Sequence, residues 1–303
     1  MSPRDAALLF LLSLVWGAAF LFTDVAVEHI PAFTLVAVRL LVAACMLVLA
    51  VLLTKSGAPP RATWLPLVFM ALFNNVVPFS LITVAQEEIE SSLAATLVGT
   101  MPLFTLIFAW ALATESPSAE RVVGLAVGFV GAVVVIGPDL GDVTESSTLA
   151  QFAVLGASVS YAIATVVARR YAQGPPMSLA AGQFVIGAVV AVVLAAAVDG
   201  APPGDVPVRA LLAALALGLL SSGLAYIVFF VLIQRITATQ ASLVSYIIPI
   251  VATVLGWIVL DEAIGPNLFA GLALILAGVL VVNGGLRAAR QRICGERATA
   301  GVR

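Results

Sequence analysis

The sequence predicts an all-α integral membrane protein of ten transmembrane helices, built as two inverted five-helix repeats. Three observations predict it. The chain is 62% hydrophobic and only 10% charged, against about 25% charged in ordinary soluble domains. Its charges fall between apolar runs of about twenty residues, the length that crosses roughly 30 Å of hydrocarbon. The pattern also repeats. A shift of 147 carries Pro102, Trp110 and Glu115 onto Pro249, Trp257 and Glu262, and Gly124, Gly131 and Gly137 onto Gly271, Gly278 and Gly284. Only four tryptophans occur in 303 residues, so a Trp landing on a Trp is informative where an apolar match is not.

The spans follow in order. Residues 6–23 come after Arg4 and imitate a signal peptide, with small residues from Gly17 to Ala19, but the run continues to Phe22 and further spans follow. The span at 33–53 carries Arg39, and that at 64–85 carries Asn74, Asn75, Pro78 and Phe79. The span at 92–113 holds Thr96, Thr100 and Pro102, and 120–137 presents Gly124, Gly128 and Gly131 as a small-residue face for close helix packing. The second half repeats this plan at 150–168, 178–198, 210–232, 240–260 and 266–285. Connections are short and carry turn formers, as in Gly57-Ala-Pro-Pro60, Gly137-Pro138, Gly174-Pro-Pro176 and Ala201-Pro-Pro-Gly204.

These boundaries give a first repeat at 1–137, an outer loop at 138–149, a second repeat at 150–285 and a basic cytoplasmic tail at 286–303. With the N-terminus in the cytoplasm, twelve Lys and Arg lie inside and one, Arg209, outside, while Arg39 sits within a span. Both termini are then cytoplasmic. Glu87, Glu88, Glu90, Asp139, Asp142 and Glu145 all fall outside. Five spans is an odd number, so the second copy enters the membrane from the opposite side, an architecture recurrent in secondary transporters. A net charge of −2 leaves no nucleic-acid footprint, Cys45 and Cys294 are poorly placed to pair, and the single histidine, His29, excludes a His-based metal site. No nucleotide loop, zinc-ligand spacing or nucleophile elbow appears, so no catalytic residue, metal or cofactor is expected. An enzyme would need clustered His, Asp or Glu at an interface, which the sequence does not display.

Polar groups inside hydrocarbon are costly, so each calls for an explanation. Trp16 and Phe20 of the first span answer to Tyr161 and Thr165 of the sixth. Asn74, Asn75 and Phe79 answer to Ser221, Ser222 and Tyr226, and Thr96 and Thr100 to Ser242, Ser245 and Tyr246. These sets are read as lining a central cavity, where hydroxyls and amides orient a small-molecule substrate and rings cover its apolar part. Singly, such residues also serve as interhelical glue, worth about 0.6 to 2 kcal/mol. Pro78, Pro102 and Pro249 remove a backbone donor in mid-span and kink their helices, either as gating points or as static bends. Arg39 either snorkels outward, pairs with Glu28 or one of Glu87, Glu88 and Glu90, or contacts a substrate carboxylate. Glu115 and Glu262, at helix ends, are read as caps or inter-helix partners. No Asp or Glu lies at mid-span, so a buried carboxylate proton relay has no carrier.

The chain resembles the EamA-type ten-helix members of the drug/metabolite transporter superfamily. The residues that carry the resemblance are Trp16-Gly17-x-x-Phe20, Pro31 and Arg39, then Pro102, Glu115 and Gly124/Gly131, then Pro249, Glu262 and Gly271/Gly278. The resemblance covers nearly the whole chain. It implies two EamA units, a central cavity, alternating access, and a multi-pass protein of the bacterial inner membrane, monomeric or homodimeric. Bacterial members often export amino acids or other small metabolites, and an importer or broad drug exporter is the alternative. The second half departs by placing Tyr161 where Trp16 stands and by lacking a match to Arg39. The small four-helix relatives keep a carboxylate in their first span, which is absent here and argues against proton-coupled drug antiport.

Overall fold

The computed structural model describes residues 2–112, 118–137, 146–171, 173–233, 235–236 and 243–283. Glu115, Ser242, Gly284, most of the expected outer loop and the Arg-rich tail lie outside the described residues. The described residues form helices without strands. They are α1 (Pro3–Val27), α2 (Ala32–Thr54), α3 (Arg61–Ala85), α4 (Ser91–Ala111), α5 (Ala119–Ile136), α6 (Ser146–Tyr171), α7 (Pro176–Val198), α8 (Val208–Phe229, continuing to Ile233), α9 (Val244–Val259) and α10 (Pro266–Val282). The first eight are long and apolar enough to cross a membrane; α9 and α10 are apolar but span only 16 and 17 residues. The protein is thus an all-helical, multi-pass membrane protein. Side chains such as Leu52, Leu53, Leu65 and Phe269 point outward, each at least two-thirds exposed, as a lipid-facing surface requires.

Helix ends follow local chemistry. Ser2 caps α1 by accepting from the Asp5 N–H at 3.2 Å, and Ser118 caps α5 through the Arg121 N–H. Pro176 and Pro266 open α7 and α10 at positions where a missing donor costs nothing. The helix α1 runs past the expected 6–23 to Val27, which brings Asp24 onto its last turn.

Two helices contain a π turn that the sequence reading did not anticipate. One is Ala71–Val76 in α3, the other Leu217–Leu224 in α8. They fall at equivalent places under the 147-residue shift. In α3 the turn lies just before Pro78: the Val77 N–H bonds the Leu72 carbonyl, and Pro78 has no N–H to continue the ladder. In α8 no proline is present, and Gly218, Ser221, Ser222 and Gly223 loosen the ladder instead. The two mid-span prolines of the fourth and ninth helices behave differently. Pro102 follows a break at Gly99–Thr100, whereas Pro249 lies inside a continuous helix. The residue three before the proline is Gly99 in the first copy and Tyr246 in the second.

The main helix pairs are α5 with α10, α2 with α7, α4 with α9, α1 with α9 and with α8, α6 with α4 and with α3, α2 with α8, and α7 with α3. Exchanging each helix with the one five places along leaves this set unchanged. The α5–α10 seam is the tightest and is made by glycines. A Cβ on Gly131 would stand 2.7 Å from the Ile275 nitrogen and 2.8 Å from the Gly271 oxygen, and one on Gly124 would stand 2.9 Å from the Gly278 oxygen. Backbone thus lies on backbone, as the small-residue faces predicted.

Candidate functional site

The side chains that gather inside the bundle come from α1, α2, α3, α6, α7 and α8. The two π turns organise them. Each leaves a carbonyl off its ladder, and each is met by a donor from the other half. Ser160 of α6 donates to the Phe73 carbonyl at 2.7 Å. Trp16 of α1 donates its indole N–H to the Ser221 carbonyl at 3.0 Å. In α8 the Ala225 N–H has turned to Leu220 and Ser222, which frees Ser221. A carbonyl inside hydrocarbon must find such a donor. Asn74 and Asn75 lie within the turn of α3, and Ser221 and Ser222 within that of α8.

Arg39 stands about two turns inside α2. Its Nε donates to Ser222 Oγ at 2.9 Å, and its guanidinium carbon lies 3.7 Å above the centre of the Phe79 ring. It neither snorkels to a carboxylate nor pairs with Glu28 or the Glu87–Glu90 group. The Glu28 carboxylate instead lies 3.8 Å from the His29 imidazole. The titratable groups around the guanidinium are the Tyr161 and Tyr226 hydroxyls.

The aromatic wall continues from there. Phe79 meets Tyr161 edge-on at 6.4 Å, Tyr226 meets Trp16 at 6.1 Å and Phe184 at 4.8 Å, and Trp16 meets Phe229 at 5.6 Å. The first three are edge-to-face pairs, which hold ring orientation, and the last is tilted. Asn74 Nδ2 reaches Tyr226 OH at 3.3 Å, and Asn75 Oδ1 and Gln183 Oε1 at 3.4 Å each. Asn75 is fully buried, and its own Nδ2 has no partner.

The structure therefore brings together Trp16, Arg39, Asn74, Asn75, Phe79, Tyr161, Ser222 and Tyr226. The other expected residues stand apart. Thr96 and Thr100 are fully buried and donate to carbonyls of their own helix, Ser92 at 2.8 Å and Leu97 at 2.6 Å. Phe20 belongs to a core cluster with Ile82 and Leu97, and Tyr246 OH accepts from Asn283 near the end of α10. Ser245 is half-buried on α9 beside Tyr246. Gln183 and Phe184 of α7 were missed, although Gln183 is a lone amide in an apolar run and the cost of burying it was a readable signal.

At one end of the bundle, a recess of ≈ 440 Å³ is lined by Asp24, Glu28, Glu90, Arg209, Asp261 and Glu262 among others. The sequence reading expected no such acidic cluster. It arises because four connections separated in sequence converge there. Glu262 is buried and accepts from the Ser91 and Ser92 N–H groups at 2.8 and 3.0 Å, capping α4. Its carboxylate lies against Gly256, where a Cβ would collide with it. At the same end, Asp199 caps α2 by accepting from the Thr34 N–H at 2.6 Å and the Thr34 hydroxyl at 2.8 Å. No described group of acids could hold a metal ion.

Comparison with known proteins places this architecture. A model of the EamA-like transporter family matches residues 5–137 and again residues 148–284. The chain belongs to the EamA-like transporter family. It is 25% identical over 271 residues to the uncharacterized transporter YoaV of Bacillus subtilis, covering 89% of this chain and 93% of that one. It is 27% identical over 278 residues to the uncharacterized inner membrane transporter YedA of Escherichia coli K12, covering 91% and 89%. A solved crystal structure at 22% identity superposes with a TM-score of 0.67 over 93% of this chain and 98% of the other, which is a likeness of fold.

Proposed function

We propose that this EamA family member is a permease of the bacterial inner membrane. It exports a small amphipathic metabolite, such as an amino acid, by rocking two inverted five-helix halves about a central site. The observation that carries this reading is the cluster of amides, hydroxyls and rings around Arg39, contributed by both halves of an otherwise apolar bundle. Helix pairing that survives exchange of the halves supports a two-fold arrangement. The inner-membrane assignment of the YedA relative supports the location. Trp16, Asn74, Asn75, Phe79, Tyr161, Ser222 and Tyr226 are the substrate contacts in this reading, with hydrogen bonds to fix orientation and rings to cover the apolar part.

The test is overexpression followed by growth on toxic amino-acid and metabolite analogues, with efflux of the labelled hits. Export predicts raised resistance and faster efflux, both lost when Asn75 and Tyr226 are replaced together. A phenotype unchanged by that double substitution would mark the bundle as structural.

A further inference from the structure

We propose that the substrate binds as an organic anion, its carboxylate held by the unoccupied edge of the Arg39 guanidinium. This rests on reading the Arg39 cluster as the transport site and adds the charge class of what it carries.

The argument starts from a cation without a counterion. Arg39 is fixed on one edge by Ser222 Oγ at 2.9 Å and on one face by the Phe79 ring at 3.7 Å. Its two terminal nitrogens have no hydrogen-bond partner among the described residues, and no described carboxylate pairs with it. The ionisable neighbours are two tyrosines. Arg39 is part-buried, so its free edge can be reached, and a cation without a counterion inside an apolar bundle persists where something restores the balance. A planar guanidinium held by its Nε offers an edge of parallel N–H groups, which matches a carboxylate in a two-pronged pair.

The surroundings point the same way. Asn75 Nδ2 is a buried donor without an acceptor, and Asn74 Nδ2 is spread over three contacts of 3.3 to 3.4 Å. Donors in surplus suit a ligand rich in oxygen acceptors. Rings of Trp16, Tyr161, Phe184 and Tyr226 supply a wall for an apolar tail. A purely cationic compound would meet a like charge with no acid to receive it, so organic amines are excluded.

The experiment uses the full-length protein in lipid nanodiscs and three probes of one shape: 3-phenylpropionate, its neutral amide, and 2-phenylethylamine. Thermal unfolding and tryptophan quenching report binding. The acid should raise the unfolding midpoint, while the amide and the amine leave it in place. R39Q should weaken binding of the acid by about tenfold or more, and R39K should keep part of it. If R39Q does not fold, discrimination among the three probes by the unaltered protein carries the test. Equal effects of acid and amide, an effect of the amine, full binding by a folded R39Q, or no effect of the acid at about 10 mM would each overturn the proposal. In proteoliposomes the two readings separate. Acid bound but no probe carried leaves the anion site and removes the transport role. All three probes carried alike leaves transport and removes the anion site.

Discussion

Glu262 shows what a single side chain does here. It is buried, and it serves two N–H groups at the start of a helix in the other half of the chain. Ser91 and Ser92 are themselves fully buried, so their N–H groups have no water to fall back on. E262A leaves both donors unsatisfied, and each buried orphan costs about 1–3 kcal/mol. We expect its unfolding midpoint in detergent to fall by several degrees, with E262Q in between. A midpoint equal to that of the unaltered protein would show that the cap adds nothing. Nearby, burial and the charge of Glu262 push the Glu90 carboxyl above its usual range, and burial with Asp199 and Glu88 does the same to Glu87. A carboxyl raised in the folded state favours folding when protonated. Its stabilising contribution is full below the unfolded value and is lost as pH rises through the folded one. Thermal stability should therefore decline as pH climbs through this window, and E90Q should flatten that slope. A steeper slope in E90Q would contradict the electrostatic picture. Sequence alone identified Glu262 as a cap or partner from its helix-end position. It did not identify Arg39 as central, because snorkelling and burial look alike until the neighbouring helices are placed.

At the level of elements, the α5–α10 seam was legible and the π turns were not. Glycines spaced along two helices are a sequence pattern, and they met as expected. With Gly131 so close to the Ile275 nitrogen, a side chain must force the helices apart. G131V should cost about 1–3 kcal/mol or more as overpacking, read as a loss of monodisperse protein by fluorescence size-exclusion. G57V, at a position open within 4 Å, should leave the profile unchanged. The π turns depend on which carbonyls find donors from other helices, and that is decided by tertiary packing. Pro78 was a visible clue in α3. The turn in α8 had only a loose run of small residues. The fourth and ninth helices taught the same lesson in reverse: equivalent prolines accompany a break in one and an unbroken helix in the other.

For the whole molecule, composition and the length of the apolar runs were enough to state an all-helical membrane protein, since each span is an independent requirement of the bilayer. Which polar residues share a site was only partly legible, because spacing within a helix fixes a face but not the neighbour that face meets. Thr96 and Thr100 share a face, yet each bonds its own helix. The charge distribution also bears on energetics. The acids Asp24, Glu28, Glu90, Asp261 and Glu262 gather at one end of the bundle, and the central cluster holds a cation and no carboxylate. With no carboxylate among the described residues of that cluster, we expect transport into vesicles to proceed at the same rate with or without an imposed pH gradient. Strong dependence on the gradient would overturn that expectation. The reciprocal bonds at the π turns carry one more consequence. Ser160 closes a gap in the first half, and Trp16 closes one in the second. Neither half is self-sufficient in oil. Produced alone, either half would carry its bulged carbonyl into the bilayer without a donor to meet it.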